Sequence, residues 1–175
     1  MNARHTSTTA PCSDTWKSDS IVGAKTVGEG IHTAVEPVSR FIIAWKIDAL
    51  TAECGITAQH AIFGALPPPA RLSVTMGNGT QDVPPLRAES PVGVWTRTSL
   101  TPTRHGTTGT NEHHNARIRR YLPTRTDFRT ITDKELQEII TEINNQPQKH
   151  LNQTTPAETY QHHTQPHHHS AALQT

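Results

Sequence analysis

The run Phe41-Ile42-Ile43-Ala44-Trp45-Lys46-Ile47 is apolar on both faces over most of its length. An extended strand sends alternate side chains to opposite sides, so a strand with no polar face needs a covering layer on each. The run therefore predicts a central core strand in a sheet covered on both sides.

The surrounding elements agree with a layered sheet. Ser20-Ile21-Val22-Gly23, following Asp19, reads as a short strand, Gly28 to Gly30 as a turn, and Ile31 to Glu36 as a second strand closed by the turn Pro37-Val38-Ser39. From Ala49 to Ala65 the residues Leu50, Cys54, Ala58, Ala61, Ile62 and Ala65 fall near helical spacing. Pro67-Pro68-Pro69 stops that helix, because proline lacks the amide hydrogen a helix needs. Leu72, Val74 and Met76 alternate with Ser73 and Thr75, which is strand periodicity up to Gly77-Asn78-Gly79. A fifth strand is expected at Val92-Gly93-Val94-Trp95, followed by a loop from Thr96 to Thr108 and then a helix carrying Glu112. Thr132-Asp133-Lys134-Glu135 is a capping box, and Leu136, Ile139, Ile140 and Ile143 continue at helical spacing until Pro147. Three strands joined by short turns form an antiparallel meander, and strands separated by helices add in parallel. The expected class is α/β, a mixed five-stranded sheet flanked by helices.

A chain of 175 residues suits one module. Its hydrophobic share of 33% and aromatic share of 5% are low, and polar ends without periodicity account for part of that deficit. The expected organisation is a disordered leader over 1–15, a folded core over 16–160 and a disordered His/Gln-rich tail over 161–175. Cys12 and Cys54 form neither a Cys-x-x-Cys pair nor a disulfide framework, which fits a reducing cytoplasm. The first residues carry no apolar leader, and no uncharged apolar stretch reaches membrane-spanning length, so no membrane partner is expected.

Charge is uneven. The formal net charge is only +1, yet between Arg97 and Arg129 lie Arg97, Arg104, Arg117, Arg119, Arg120, Arg125 and Arg129, opposed by Glu112 and Asp127 alone. Such a basic stretch points to nucleic acid. Glu112 stands near the start of its helix with Arg117, Arg119 and Arg120 behind it. A carboxylate can hold a divalent cation against a phosphate, and guanidinium groups neutralise neighbouring phosphates. Arg119 falls on the face of Glu112, with Arg117 and Arg120 on its flank, and all three are expected to meet DNA. Solvated arginines on a surface helix are the alternative. His113-His114, His162-His163 and His167-His168-His169 invite zinc or nickel, but no Cys partner or His-Glu-x-x-His spacing accompanies them.

Several blocks, weak singly, occur together in order: Trp16 to Gly23, Arg40 to Ala44, Asn78-Gly79-Thr80, Gly109-Thr110-Asn111-Glu112 with Asn115, Arg119 to Pro123, Asn144-Asn145 with Pro147, and Thr155-Pro156-Ala157-Glu158. In this order and spacing, the chain resembles bacterial IS-thirty family transposases from about Trp16 to Tyr160. The resemblance implies a ribonuclease-H-like, integrase-type catalytic core that cuts and joins DNA strands with an Asp, Asp, Glu triad.

Residue by residue, the resemblance makes Asp19 the first acid and Glu112 the third, both catalytic and both metal ligands. The second acid is replaced by Gly77, and the Glu-Phe that follows in the family is Gln81-Asp82 here. Two Mg2+ or Mn2+ ions roughly 4 Å apart are expected in the family, with the middle carboxylate bridging them. Gly77 offers only backbone, so metal binding should be weakened and the rate reduced by orders of magnitude. Asp82, Asp48 and Asp14 read as solvated carboxylates rather than replacements. The segment Thr101 to Thr108 departs from the family's Trp-Gln-Arg-Gly stretch. Asn144-Asn145-Gln146-Pro147-Gln148-Lys149 lacks two cations of the family's version, and no counterpart of the family's amino-terminal DNA-binding region is expected. The expectation is an impaired relic of a transposase. The alternative is a non-catalytic remnant that holds DNA, self-associates or associates with an intact transposase.

Overall fold

The computed structural model describes residues 15–24, 28–71, 73–76, 96–99 and 108–164. β1 (Thr15–Val22), β2 (Gly30–Val35) and β3 (Ile42–Ile47) form the expected antiparallel meander. β4 (Ser73–Met76) adds parallel to β1, and β5 (Thr96–Ser99) adds parallel to β4. The sheet is mixed and five-stranded, in the order β3-β2-β1-β4-β5. α1 (Ala52–Gly64) leads from β3 towards β4. α2 (Thr108–Tyr121), α3 (Asp133–Asn144) and α4 (Pro156–Thr164) follow β5.

Helices cover both faces, as the apolar run requires. On one side Ile21, Ile31, Val35, Ile42 and Ala44 pack against Ile118 and Leu122 of α2 and Leu136, Ile140 and Ile143 of α3. On the other, Trp16, Ala34 and Val74 pack against Ile62 and Phe63 of α1. Tyr160 of α4 joins this second side, stacked on Phe41 at 4.6 Å and edge-on to Trp16 at 5.7 Å. The strand pleat explains the division, because Trp16 and Ile21 differ by an odd number of positions and so face opposite ways.

β3 is nevertheless an edge strand. It is apolar on both sides because α1 and α3 each lie against it, and its outer backbone edge is met by side chains of α3. Asn144 Oδ1 accepts from the Ile42 amide at 2.9 Å and its Nδ2 donates to the Ile42 carbonyl at 2.8 Å. Gln137 Nε2 donates to the Ala44 carbonyl at 3.0 Å. The central place belongs to β1, whose sequence Thr-Trp-Lys-Ser-Asp-Ser-Ile-Val is mostly polar.

Local sequence fixes several boundaries. The capping box at α3 is formed: Glu135 N donates to Thr132 Oγ1 at 3.2 Å, and Thr132 N donates to Glu135 Oε2 at 2.7 Å. A cap of this kind contributes about 1 kcal/mol. Thr155 and Glu158 repeat the arrangement before α4, with Pro156 at the first helical position. The turn at Pro37-Val38-Ser39 is held by buried Glu36, whose Oε1 accepts from Val38 N at 2.8 Å and Oε2 from Ser39 N at 2.6 Å.

Three sequence boundaries differ. β1 begins at Thr15, so Asp19 sits inside the strand rather than before it. β5 falls on Thr96–Ser99, within the segment read as a loop, while Val92 to Trp95 lie outside the described residues. α4 continues through Thr164, so 161–164 extend a capped helix rather than begin a tail. The leader before Thr15 and the residues after Thr164 lie outside the described residues.

Candidate active site and its basic flank

Asp19 projects from the middle of the central strand towards the α2 side, sharing the parity of Ile21. Its Oδ2 accepts from Asn115 Nδ2 at 2.7 Å, and its Oδ1 from the Ser20 amide at 2.8 Å. Thr33, its cross-strand partner on β2, donates through Oγ1 to the Asp19 carbonyl at 3.2 Å. The contact with Asn115 fixes α2 against β1. The backbone of position 112 lies on the same helix, one turn before Asn115. β4 runs alongside, with Met76 in register with Ser18. Gly77 and Asp82 follow it and lie outside the described residues. Among the described residues each Asp19 oxygen accepts one hydrogen bond, which leaves lone-pair capacity suited to a hard, oxygen-seeking cation.

The reverse side of the same stretch holds a network that sequence reading missed. His32 is buried on β2, with Nε2 2.7 Å from Ser18 Oγ and Nδ1 2.9 Å from Ser20 Oγ. Ser18 Oγ donates to the Thr33 carbonyl at 3.0 Å, so it receives its proton from Nε2 and leaves Nδ1 to accept from Ser20. Burial pushes the His32 pKa down to about 4, which holds the ring neutral. The two serines flanking Asp19 are thus tied to one imidazole. The only signal in the sequence was a histidine in a predicted strand.

The three arginines after Glu112 separate. Arg117 is buried: Nη2 donates to the Ile143 carbonyl at 2.8 Å and reaches Gln146 Oε1 at 3.4 Å, binding α2 to the end of α3. Burial lowers its pKa from the ordinary arginine value. Through Nη2 it serves an interior contact, where the sequence leads one to expect a DNA-facing flank. Arg119 is half-buried and donates to the Val22 and Pro123 carbonyls, beyond the end of the Asp19 strand. Arg120 is exposed.

His114 is fully buried next to Arg40, with Nε2 3.5 Å from Arg40 Nη1. Burial lowers its pKa to about 3, helped by the positive charges of Arg40, His113, Arg117 and His150. Among the described residues, no group of three or more His, Cys, Asp or Glu side chains is placed to hold a metal ion. His167-His168-His169 lie outside the described residues.

Comparison with known proteins now has a geometry to explain. No protein-family model matches the chain. It is 30% identical over 146 residues to the transposase InsI of insertion sequence element IS30C from Escherichia coli, covering 82% of this chain and 37% of that protein. The IS30A transposase of the same organism matches over the same length. A transposase of insertion sequence element IS4351 from Bacteroides fragilis is 40% identical over 52 residues, 30% of this chain. The chain is a relative of the IS30 transposases. It spans 37% of the length of the Escherichia coli proteins it matches.

Solved structures give the fold. The catalytic core domain of BIV integrase superposes with a TM-score of 0.62 at 18% identity, covering 86% of this chain and 95% of that one. A chain of the simian T-cell lymphotropic virus intasome in complex with PP2A regulatory subunit B56 gamma gives the same TM-score at 18% identity and covers 89% of this chain and 55% of that one. The IS30-related chain therefore has the ribonuclease-H-like integrase-core fold. No helix among the described residues is long and apolar enough to cross a membrane.

Proposed function

We propose that the chain is a transposase catalytic-core segment for DNA transposition, with Asp19 and Glu112 as two of its three acids and with activity impaired at Gly77. The observation that carries this reading is the hydrogen bond from Asn115 to Asp19, which joins the Asp19 strand to the Glu112 helix. Asp19 and Glu112 would hold Mg2+ or Mn2+, and a bound divalent ion supplies Lewis-acid stabilisation of charge developing on the phosphoryl oxygens.

The chain's own residues set the site. Asn115 and the Ser20 amide orient the Asp19 carboxylate. Thr33 holds the Asp19 carbonyl, and His32 ties the adjoining serines from behind. Preorganisation of this kind matters because small displacements of reacting groups cost large factors in rate. Gly77 adds no carboxylate where the resemblance expects the second acid, so only two of three acids remain.

DNA is the proposed partner, held through exposed Arg120 and partly through Arg119, in a sequence-blind and salt-sensitive way. The second reading is a non-catalytic module that binds DNA or associates with an intact transposase, and the glycine at position 77 favours it.

Manganese titration followed by electron paramagnetic resonance tests the metal assignment. Weak binding is expected in the natural chain, tightening at least tenfold in Gly77→Asp and disappearing in Asp19→Asn. Binding that ignores both substitutions would remove Asp19 from the site.

A further inference from the structure

Beside α2 lies a group of donors with no acid to answer them. His114 Nδ1, Arg117 Nη1 and Gln148 Nε2 are all buried and have no hydrogen-bond partner among the described residues. His114 and Arg117 stand one turn apart on α2. Arg117 reaches Ile143 and Gln146, the latter two residues before Gln148, and His150 acts electrostatically on His114.

All three orphaned atoms are donors. Arginine can only donate, so the His114 nitrogen facing Arg40 is the one with the lone pair, and Nδ1 carries the proton. Arg40 adds positive charge around this spot. None of these groups forms an ion pair with a carboxylate among the described residues. Glu36, on the same turn as Arg40, is taken up by the amides of Val38 and Ser39 and by the Ser39 hydroxyl. Arg40 itself is held at φ 63, a left-handed conformation unusual for a side-chain-bearing residue.

Buried donors without acceptors are costly and uncommon, and a tetrahedral oxyanion answers several at once. We infer that Arg40, His114, Arg117, Gln148 and the rim residues His113 and His150 form an anion site that takes a phosphate group. The site uses none of the side chains that bond the Asp19 carboxylate, and it rests on the nucleic-acid reading only for where the phosphate comes from.

Calorimetric titration with inorganic phosphate at pH 7, without divalent metal and at matched ionic strength, tests the site apart from the metal assignment. Saturable binding is expected, weakened at least fivefold in both Arg40→Gln and His150→Gln, two partly or fully exposed positions whose substitution should leave the fold intact. Phosphate should also raise the thermal midpoint above that in chloride. No saturation, a response equal to that in chloride, or unchanged affinity in both variants would overturn the site and leave the buried donors to water. A 20-base-pair duplex then identifies the source: competition with phosphate assigns the site to a nucleic-acid backbone, and simultaneous binding assigns it to free phosphate.

Discussion

Asn115 Nδ2 donates to Asp19 Oδ2 at 2.7 Å, joining the middle of the central strand to the helix that carries Glu112. The bond does two things at once: it satisfies a partly buried carboxylate and sets the direction in which that carboxylate points. Replacing Asn115 with alanine should cost about 1 to 2 kcal/mol of stability. In a Gly77→Asp background it should lower metal-dependent nicking by roughly tenfold or more, because an unclamped acid samples unproductive orientations. Nicking rates compared at matched folded fractions check this, and an unchanged rate would make the contact purely structural.

The arginines of α2 should separate by experiment as they do in space. Arg120→Ala is expected to lower the slope of log affinity against log salt for duplex DNA by about 1, the signature of one lost phosphate contact. Arg117→Ala should in addition cost about 1 to 3 kcal/mol of stability, because it strips the Ile143 carbonyl of its donor. Fluorescence anisotropy over a salt series and urea denaturation distinguish the two. An Arg117→Ala variant as stable as the natural chain would show that the Ile143 contact contributes nothing to the fold.

Stability should fall on mild acidification. His32 and His114 have pKa values pushed down to about 4 and about 3, against an ordinary value near 6.5. Below about 6.5 the unfolded chain takes up protons that the folded chain refuses. The contribution is therefore full above that pH and is lost as pH falls towards the folded values, at about 1.4 kcal/mol per pH unit for each group. Urea midpoints between pH 7 and pH 5 should decline, and His32→Gln should make the decline shallower. A flat profile would mean that neither ring is held neutral by the fold.

Much of the architecture was legible because its signals are local. The capping box at Thr132 and Glu135, the proline stop after α1, the meander and the parallel addition of later strands all follow from short-range chemistry and connection length. What escaped depends on long-range contacts. The central strand is polar because Ser18, Ser20 and Asp19 find partners in His32, Thr33 and Asn115, none of them visible from β1 alone. The most apolar strand lies at an edge because two helices cover it there. β5, with the sequence Thr-Arg-Thr-Ser, has no apolar pattern and ends the sheet. At the site, Asp19 and Glu112 came from an ordered set of motifs, whereas the burial of Arg117 depends on where the end of α3 lies.

The edge of β3 makes its own prediction. Asn144 offers both halves of its amide to Ile42, in place of the neighbouring strand that an edge lacks. Asn144→Leu should destabilise the fold by about 1 to 3 kcal/mol and raise aggregation, since it uncovers an apolar strand edge. Light scattering during a thermal ramp checks this, and an unchanged onset of aggregation would show that the edge is guarded by other means.

Nicking of supercoiled plasmid in Mg2+ or Mn2+, by the natural chain beside Gly77→Asp with both first shown to be folded, tests the central claim. Nicking by Gly77→Asp alone, abolished by a further Asp19→Ala, is the expected result and would establish an integrase-type acid triad broken at its second position. Nicking by the natural chain that Asp19→Ala abolishes would contradict the role given to Gly77, and nicking that survives Asp19→Ala would contradict the site itself.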